Sequence, residues 1–184
     1  MKIYTRDGDD GTTGLLYGGR VRKDSDQPAA YGDVDEAQAA IGWARAQVER
    51  GTDIDGVLVH VLRDLWVLMA ELATLPENKN KLEDEVSRVT HEMVEALEKY
   101  IDETSEKFSV PEEFVIPGQN STAAALDMAR TVVRRAERSA LKVATDDSYV
   151  GPYLNRLSDL MWMLARWQDN GSLPARKSET KNEG

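Results

Sequence analysis

No cysteine occurs in this 184-residue chain, and histidine is confined to His60 and His91. The first absence excludes disulfides, thiolate nucleophiles and cysteine-based metal centres. The second excludes a histidine-rich metal cluster. Long apolar runs are missing too: nothing approaches the roughly 18 consecutive apolar residues of a membrane helix. The opening MKIYTRDG has no apolar stretch of the secretory kind, so the cytoplasm is the expected location. Basic charge is in deficit, with a formal net charge of -10. That disfavours a general nucleic-acid binder, which needs cations to displace counterions, but it leaves room for a local anion pocket. What remains is an ordinary globular composition, 41% hydrophobic and 30% charged, long enough for one domain with a real core.

Helical periodicity dominates. Val34, Ala37, Ile41, Ala44 and Val48 recur at spacings of three and four, which predicts a helix from about Val34, capped by Asp33 or Asp35 and ended by Gly51. Leu58, Val61, Leu62, Leu65, Leu68, Met69 and Leu72 mark a second, well-buried helix stopped by Pro76. A third runs through Leu82, Val86, Val89, Met93, Ala96 (with Leu97) and Tyr100. After the loop FSVPEEFVIPGQN, a fourth has Leu126, Ala129, Val133, Ala136, Ala140 and Val143 as its seam. Leu154, Leu157, Met161 and Leu164 define a fifth. No strand-period segment of any length is visible. The fold class is therefore all-α, an antiparallel five-helix bundle over residues 34–170. An irregular segment, 1–33, precedes it. A polar tail, 171–184, is expected to be disordered.

The irregular segment holds the strip TRDGDDGTTGLLYGG, with five glycines, three aspartates and three threonines between Thr5 and Gly19. Glycine and Asx residues favour turns over helix. One reading is a flexible terminus. The other is an anion nest of successive backbone N–H groups, with hydroxyls from Thr5, Thr12 and Thr13, a point charge from Lys23, and Asp9 and Asp10 able to hold Mg²⁺. Neither a Walker nor a Rossmann pattern is present.

A second concentration of chemistry lies in ARTVVRRAER. Arg130, Arg134 and Arg138 fall within an arc of about 80° on one helix side, with Glu137 beside them and Arg135 further round. A solvated charged face, with Glu137 paired to Arg134 or Arg138, is the plainer reading. Four arginines within nine residues of an acidic protein point instead to forked contacts with phosphate. Asn155 on the fifth helix meets either a ligand or a neighbouring backbone. Phe114 sits in a loop between prolines, where it either plugs the bundle end or meets a ligand. His60, flanked by valines, reads as a core histidine. The four tryptophans read as core or interface.

Together, KIYTRDGDDGTTGL, KDSDQPAAYGDVDEAQAAIGWARA, FVIPG, ARTVVRRAER and YLNRLSDLMWMLAR closely resemble the PduO-type ATP:cob(I)alamin adenosyltransferases, from about Lys2 to Arg166 and in the same order. The resemblance implies a homotrimeric helical bundle with ATP at each subunit interface and a corrinoid nearby. It assigns ATP contacts to Thr5, Arg6, Asp7, Gly8, Thr13, Gly14 and Lys23, and to Arg134, Arg135, Glu137, Arg138 and Asn155. It pairs Asp35 with Arg130 across the subunit boundary. Phe114 becomes the residue that closes the lower face of the corrin and displaces its dimethylbenzimidazole base. It implies adenosyl transfer from ATP to cobalt(I), with Mg²⁺ on the tripolyphosphate, and points to a flavin reductase and an adenosylcobalamin-dependent mutase as partners. A non-catalytic ATP-binding trimer, or a carrier of adenosylcobalamin, is the alternative on the same bundle. Three positions depart from the family pattern: Asp7 for Thr or Asn, Gln119 for Gly, and Asp127 for His.

Overall fold

The computed structural model describes residues 4–176. Met1, Lys2 and Ile3, and the part of the expected disordered tail from 177 onward, lie outside them. Five α-helices form the body: α1 (Asp26–Ala46), α2 (Asp53–Leu72), α3 (His91–Ser105), α4 (Ser121–Ala140) and α5 (Val150–Asp169). Two small hairpins decorate it. One pairs β1 (Thr12–Gly14) with β2 (Arg20–Arg22), and the other pairs β3 (Val115–Ile116) with β4 (Leu173–Pro174), both antiparallel. The structure thus differs from the sequence reading in having strands at all, and in folding residues 173–174 back onto the chain.

Helix α4 sits at the centre, packed against α1 on one side and α5 on the other. Helix α2 covers α1, and α3 covers α5. The predicted seam of α4 is fully buried at Leu126, Ala129, Val133, Ala136 and Ala140. Ala30, Ala37 and Ala44 of α1 are equally buried. Small side chains on both helices let their backbones approach closely, and the large residues of α5 fill the other side. Leu154, Leu157, Met161 and Leu164 are buried there as the periodicity predicts.

Two helix starts depart from expectation. Helix α1 begins at Asp26, eight residues before Val34, with Ser25 as its N-cap residue. Pro28 falls in the first turn, where its missing N–H has no intrahelical partner to lose. Gly32 also lies within the helix, and neither residue breaks it. Helix α3 begins only at His91. The preceding stretch is a 3₁₀ turn, Pro76–Lys81, and an irregular loop. The buried Glu71 of α2 dictates this. Its carboxylate accepts from the Val89 amide at 2.7 Å and from the Ser148 hydroxyl at 2.5 Å. A buried carboxylate must be satisfied, so it draws the 87–89 backbone out of helical geometry. Val86, expected on the helix seam, is left exposed.

Candidate active site

The N-terminal strip is a structured ribbon rather than a frayed end. Turns close from Arg6 to Asp9 and from Gly8 to Gly11, each by a 3.2 Å backbone hydrogen bond. The β1–β2 hairpin returns the chain so that the Lys23 amide donates to the Gly11 carbonyl at 2.9 Å. Arg20 braces the fold, donating to the Asp7 carbonyl at 2.5 Å and to the Thr12 hydroxyl at 2.7 Å. Asp10 accepts from the Thr12 hydroxyl and amide, and these bonds hold its carboxyl below the usual aspartate range.

Lys23 reaches directly over Gly8. A Cβ built there would stand 2.9 Å from Nζ and 3.0 Å from the Thr12 carbonyl oxygen. Without a side chain at Gly8 the ammonium can lie close over the turn; a Cβ there would force Lys23 or the Thr12 carbonyl to shift. Thr12 is committed to Asp10 and Arg20 and has no spare role. Thr5 accepts from the Asp7 amide at 3.3 Å, and the Thr13 hydroxyl makes only a 3.5 Å contact to the Gly14 carbonyl. Asp7, the departure from the family pattern, is exposed and builds the ribbon through its backbone. Among the described residues no three His, Asp or Glu side chains converge to hold a metal. Asp9 and Asp10 are nevertheless exposed beside the ribbon. They fit Mg²⁺ in its usual mode, in which one or two carboxylates join phosphate oxygens and waters.

The arginine row divides. Arg134 and Arg138 are exposed, as on a solvated charged face, but neither pairs with Glu137 or any other acid among the described residues. Asn155 is exposed on α5, with no buried amide to satisfy. Arg135 is occupied: it lies 3.8 Å from Asp33 and pairs closely with Glu36, tying α4 to α1. The Ser139 hydroxyl donates to Asp33 at 2.5 Å and reinforces that seam. Asp35 is exposed on α1, without an ion pair among the described residues. No hydrogen bond or ion pair within the described residues joins the ribbon to Arg134 or Arg138.

Phe114 is 90% exposed, so it does not plug the bundle. It stands on the rim of a cleft of about 750 Å³ whose lining includes Trp162, Asp127, Arg130 and Arg166. The β3–β4 pairing holds this loop in place, and the Ala175 amide donates to the Phe114 carbonyl at 2.7 Å. Beneath the cleft lies a charge cluster that sequence reasoning missed. Arg166, its side chain 2% exposed, donates to Asp127 at 2.5 Å and lies 2.8 Å from Asp169. Burial pushes the Asp169 carboxyl up, and the Arg166 charge opposes that. The available signal was a charged residue inside each of two apolar runs, LDMA and MLARW.

His60 is not a core residue. It lies half exposed on α2, 3.3 Å from Asp64 and edge-on to Tyr100. Trp43 and Trp66 are also largely exposed, on α1 and α2.

An exposed phenylalanine thus stands on the rim of a cleft with Arg130 and Arg166 in its lining, and a braced glycine ribbon precedes α1. The profile described as "Cobalamin adenosyltransferase" matches residues 3–168. The chain belongs to the cobalamin adenosyltransferase family. A corrinoid adenosyltransferase from Mycobacterium tuberculosis is 43% identical over 171 residues, covering 90% of this chain and 87% of that protein. One from Citrobacter freundii is 37% identical, covering 91% and 95%. Among solved structures, a phenylalanine-to-histidine variant of a PduO-type ATP:corrinoid adenosyltransferase from Lactobacillus reuteri, complexed with cobalamin and ATP, superposes with a TM-score of 0.85. It is 27% identical, and the match covers 96% of this chain and 97% of that one. An arginine-to-lysine variant of the same Lactobacillus enzyme, complexed with ATP, matches with a TM-score of 0.81 at 26% identity, covering 95% and 100%. In this family member, no helix among the described residues is long and apolar enough to cross a membrane.

Proposed function

We propose that this chain transfers the 5′-deoxyadenosyl group of ATP to the cobalt of cob(I)alamin. The cobalt(I) electron pair forms the new Co–C bond to C5′. The C5′–O bond breaks, and tripolyphosphate leaves with that electron pair. No protein nucleophile is required, which suits a chain without cysteine. The protein's work is alignment and charge stabilisation. Lys23, Arg134 and Arg138 face the triphosphate and its developing charge. The backbone of Thr5, Arg6, Asp7, Gly8, Thr13 and Gly14 cradles it, and Asn155 and Glu137 orient the nucleoside end. Mg²⁺, met by Asp9 or Asp10, supplies further neutralisation of the leaving group.

Among the described residues no hydrogen bond or ion pair joins the ribbon to the Arg134–Arg138 row. In a cytoplasmic homotrimer with ATP between subunits, the ribbon of one copy would meet this row on the next, and Asp35 of one copy would reach Arg130 of its neighbour. Arg135, already engaged with Asp33 and Glu36, serves that interface from behind rather than the phosphates. A flavin reductase that delivers cobalt(I), and a mutase that accepts the product, are the partners this chemistry calls for.

The observation that carries the reading is Phe114, 90% exposed on the rim of the cleft. Exposing a phenylalanine to water is unfavourable unless a partner covers it, and a flat macrocycle does so while shutting out its own axial base. The test is direct. Purified protein with ATP, Mg²⁺ and chemically reduced cobalamin should form adenosylcobalamin and tripolyphosphate, followed by visible absorption and phosphate-chain analysis. ATP bound without product formation would leave a nucleotide-binding or carrier role in its place.

A further inference from the structure

We propose that Asp127 is a positioning residue for the corrinoid half of the reaction: it links Arg130 to the buried Arg166 and so holds the Arg130 guanidinium on the cleft wall. This rests on the function proposed above.

The argument begins with charge. Four ionised groups lie together beneath the cleft: Arg166, Asp169, Asp127 and Arg130. Asp169, its side chain 0% exposed, already neutralises Arg166 at 2.8 Å. A second carboxylate against the same guanidinium leaves one negative charge in excess, and buried charge demands a partner. Arg130, three residues along α4, lies beside Asp127 and supplies a balancing charge. Asp127 divides its oxygens accordingly. Oδ2 accepts from Arg166 at 2.5 Å, and Oδ1 faces Arg130 Nε at 3.6 Å. Arg130 Nε is buried and makes no hydrogen bond among the described residues; within one chain it faces this carboxylate, and in the proposed trimer Asp35 of the next copy would meet the same guanidinium from outside.

Geometry explains why the restraint matters. Asp127 and Arg130 are three residues apart on α4 and share a face. The Arg130 side chain is 32% exposed and lines the same cleft as Phe114. A free arginine surrenders its rotamer freedom when a ligand arrives, and that loss weakens binding. An arginine held by charge beside a rigid, buried ion pair surrenders less. Arg166 is the anchor: its own side chain is inaccessible, and it is fixed from α5 by Asp169 and from α4 by Asp127.

The test is a double-mutant cycle on the full chain, with Asp127→Asn, Arg130→Ala and both together. Affinity for cob(II)alamin is read by visible absorption in the presence of ATP, and steady-state constants are measured for both substrates. Asp127→Asn should weaken corrinoid binding about tenfold and leave the KM for ATP within about twofold, because the restraint acts on one wall only. In the Arg130→Ala background the same substitution should cost less than about twofold. The melting temperature should fall in both backgrounds, since Arg166 loses Asp127 in each. Losses that multiply in the double variant, or equal effects on ATP and corrinoid, overturn the proposal. Should Asp127→Asn not fold, Arg130→Lys keeps the charge but removes the planar guanidinium whose Nε faces Oδ1: corrinoid binding as weak as in Arg130→Ala supports the proposal, and wild-type binding overturns it. A wild-type protein that binds no corrinoid defeats the functional reading itself. A wild type that binds normally beside additive variants defeats only the role of Asp127.

Discussion

Replacing Phe114 by alanine separates folding from function, because the side chain does so little in the free protein. With 90% of its surface exposed, about a tenth of the residue is buried. Full burial of a phenylalanine is worth roughly 1.5–3 kcal/mol, so the folded chain loses at most about 0.3 kcal/mol. For a domain of this size that shifts the melting temperature by about 1 °C or less. A corrin ring lying on Phe114 would bury most of the remainder. Losing that contact costs roughly 1.5–3 kcal/mol at the cobalt-transfer step, or about 10- to 150-fold in kcat/KM for cobalamin. Cobinamide has no lower base to displace, so its loss should be several-fold smaller. The assay is adenosylation of both corrinoids by wild type and Phe114→Ala, beside a thermal melt. Equal losses on the two substrates would refute base displacement. A drop of many degrees in melting temperature would refute the claim that Phe114 is idle in the fold.

Other outcomes follow from the same geometry. Arg134→Ala, at an exposed side chain with no acid partner among the described residues, should leave the melting temperature within about 2 °C and lower ATP turnover by about 100-fold or more, as expected when a charge aimed at a leaving group is removed. Gly8→Ala drives a methyl group toward Lys23 Nζ and the Thr12 carbonyl, so the KM for ATP should rise several-fold with little change in KM for corrinoid; unchanged ATP kinetics would remove Lys23 from the phosphate site. Asp55 accepts from the Gly51 amide, Arg45 and Arg50, and these bonds lower its pKa, the amide contributing most. Its folded pKa lies below the unfolded value of about 3.9, so its stabilisation is present above that pH and lost as pH falls further. Asp55→Asn should accordingly melt below wild type at pH 7, with the gap closing in melts below about pH 4; a gap constant with pH would refute the linkage.

Much of the bundle was legible because helix-face periodicity is a local property. Each residue's neighbours at i+3 and i+4 are fixed by backbone geometry alone, so the seams of α4 and α5 could be read before any tertiary contact was known. The same locality hid the rest. The 82–89 stretch has a helical pattern, yet Glu71 on another helix takes its backbone amide. Helix α1 starts early because a proline in a first turn does not break a helix. The arginine row showed which side chains share a face, but not which acids would meet them.

By itself, then, the sequence determined the helical class, the two seams, the glycine-and-threonine ribbon and the presence of Phe114, all set by spacing and residue type within a few turns of chain. Only the tertiary structure decided that Arg135 serves the α1–α4 seam while Arg134 and Arg138 have no acid partner among the described residues, that Phe114 faces outward, and that Asp127 meets an arginine 39 residues away. Ion pairs form between whichever groups packing brings together, and packing is a property of the whole chain.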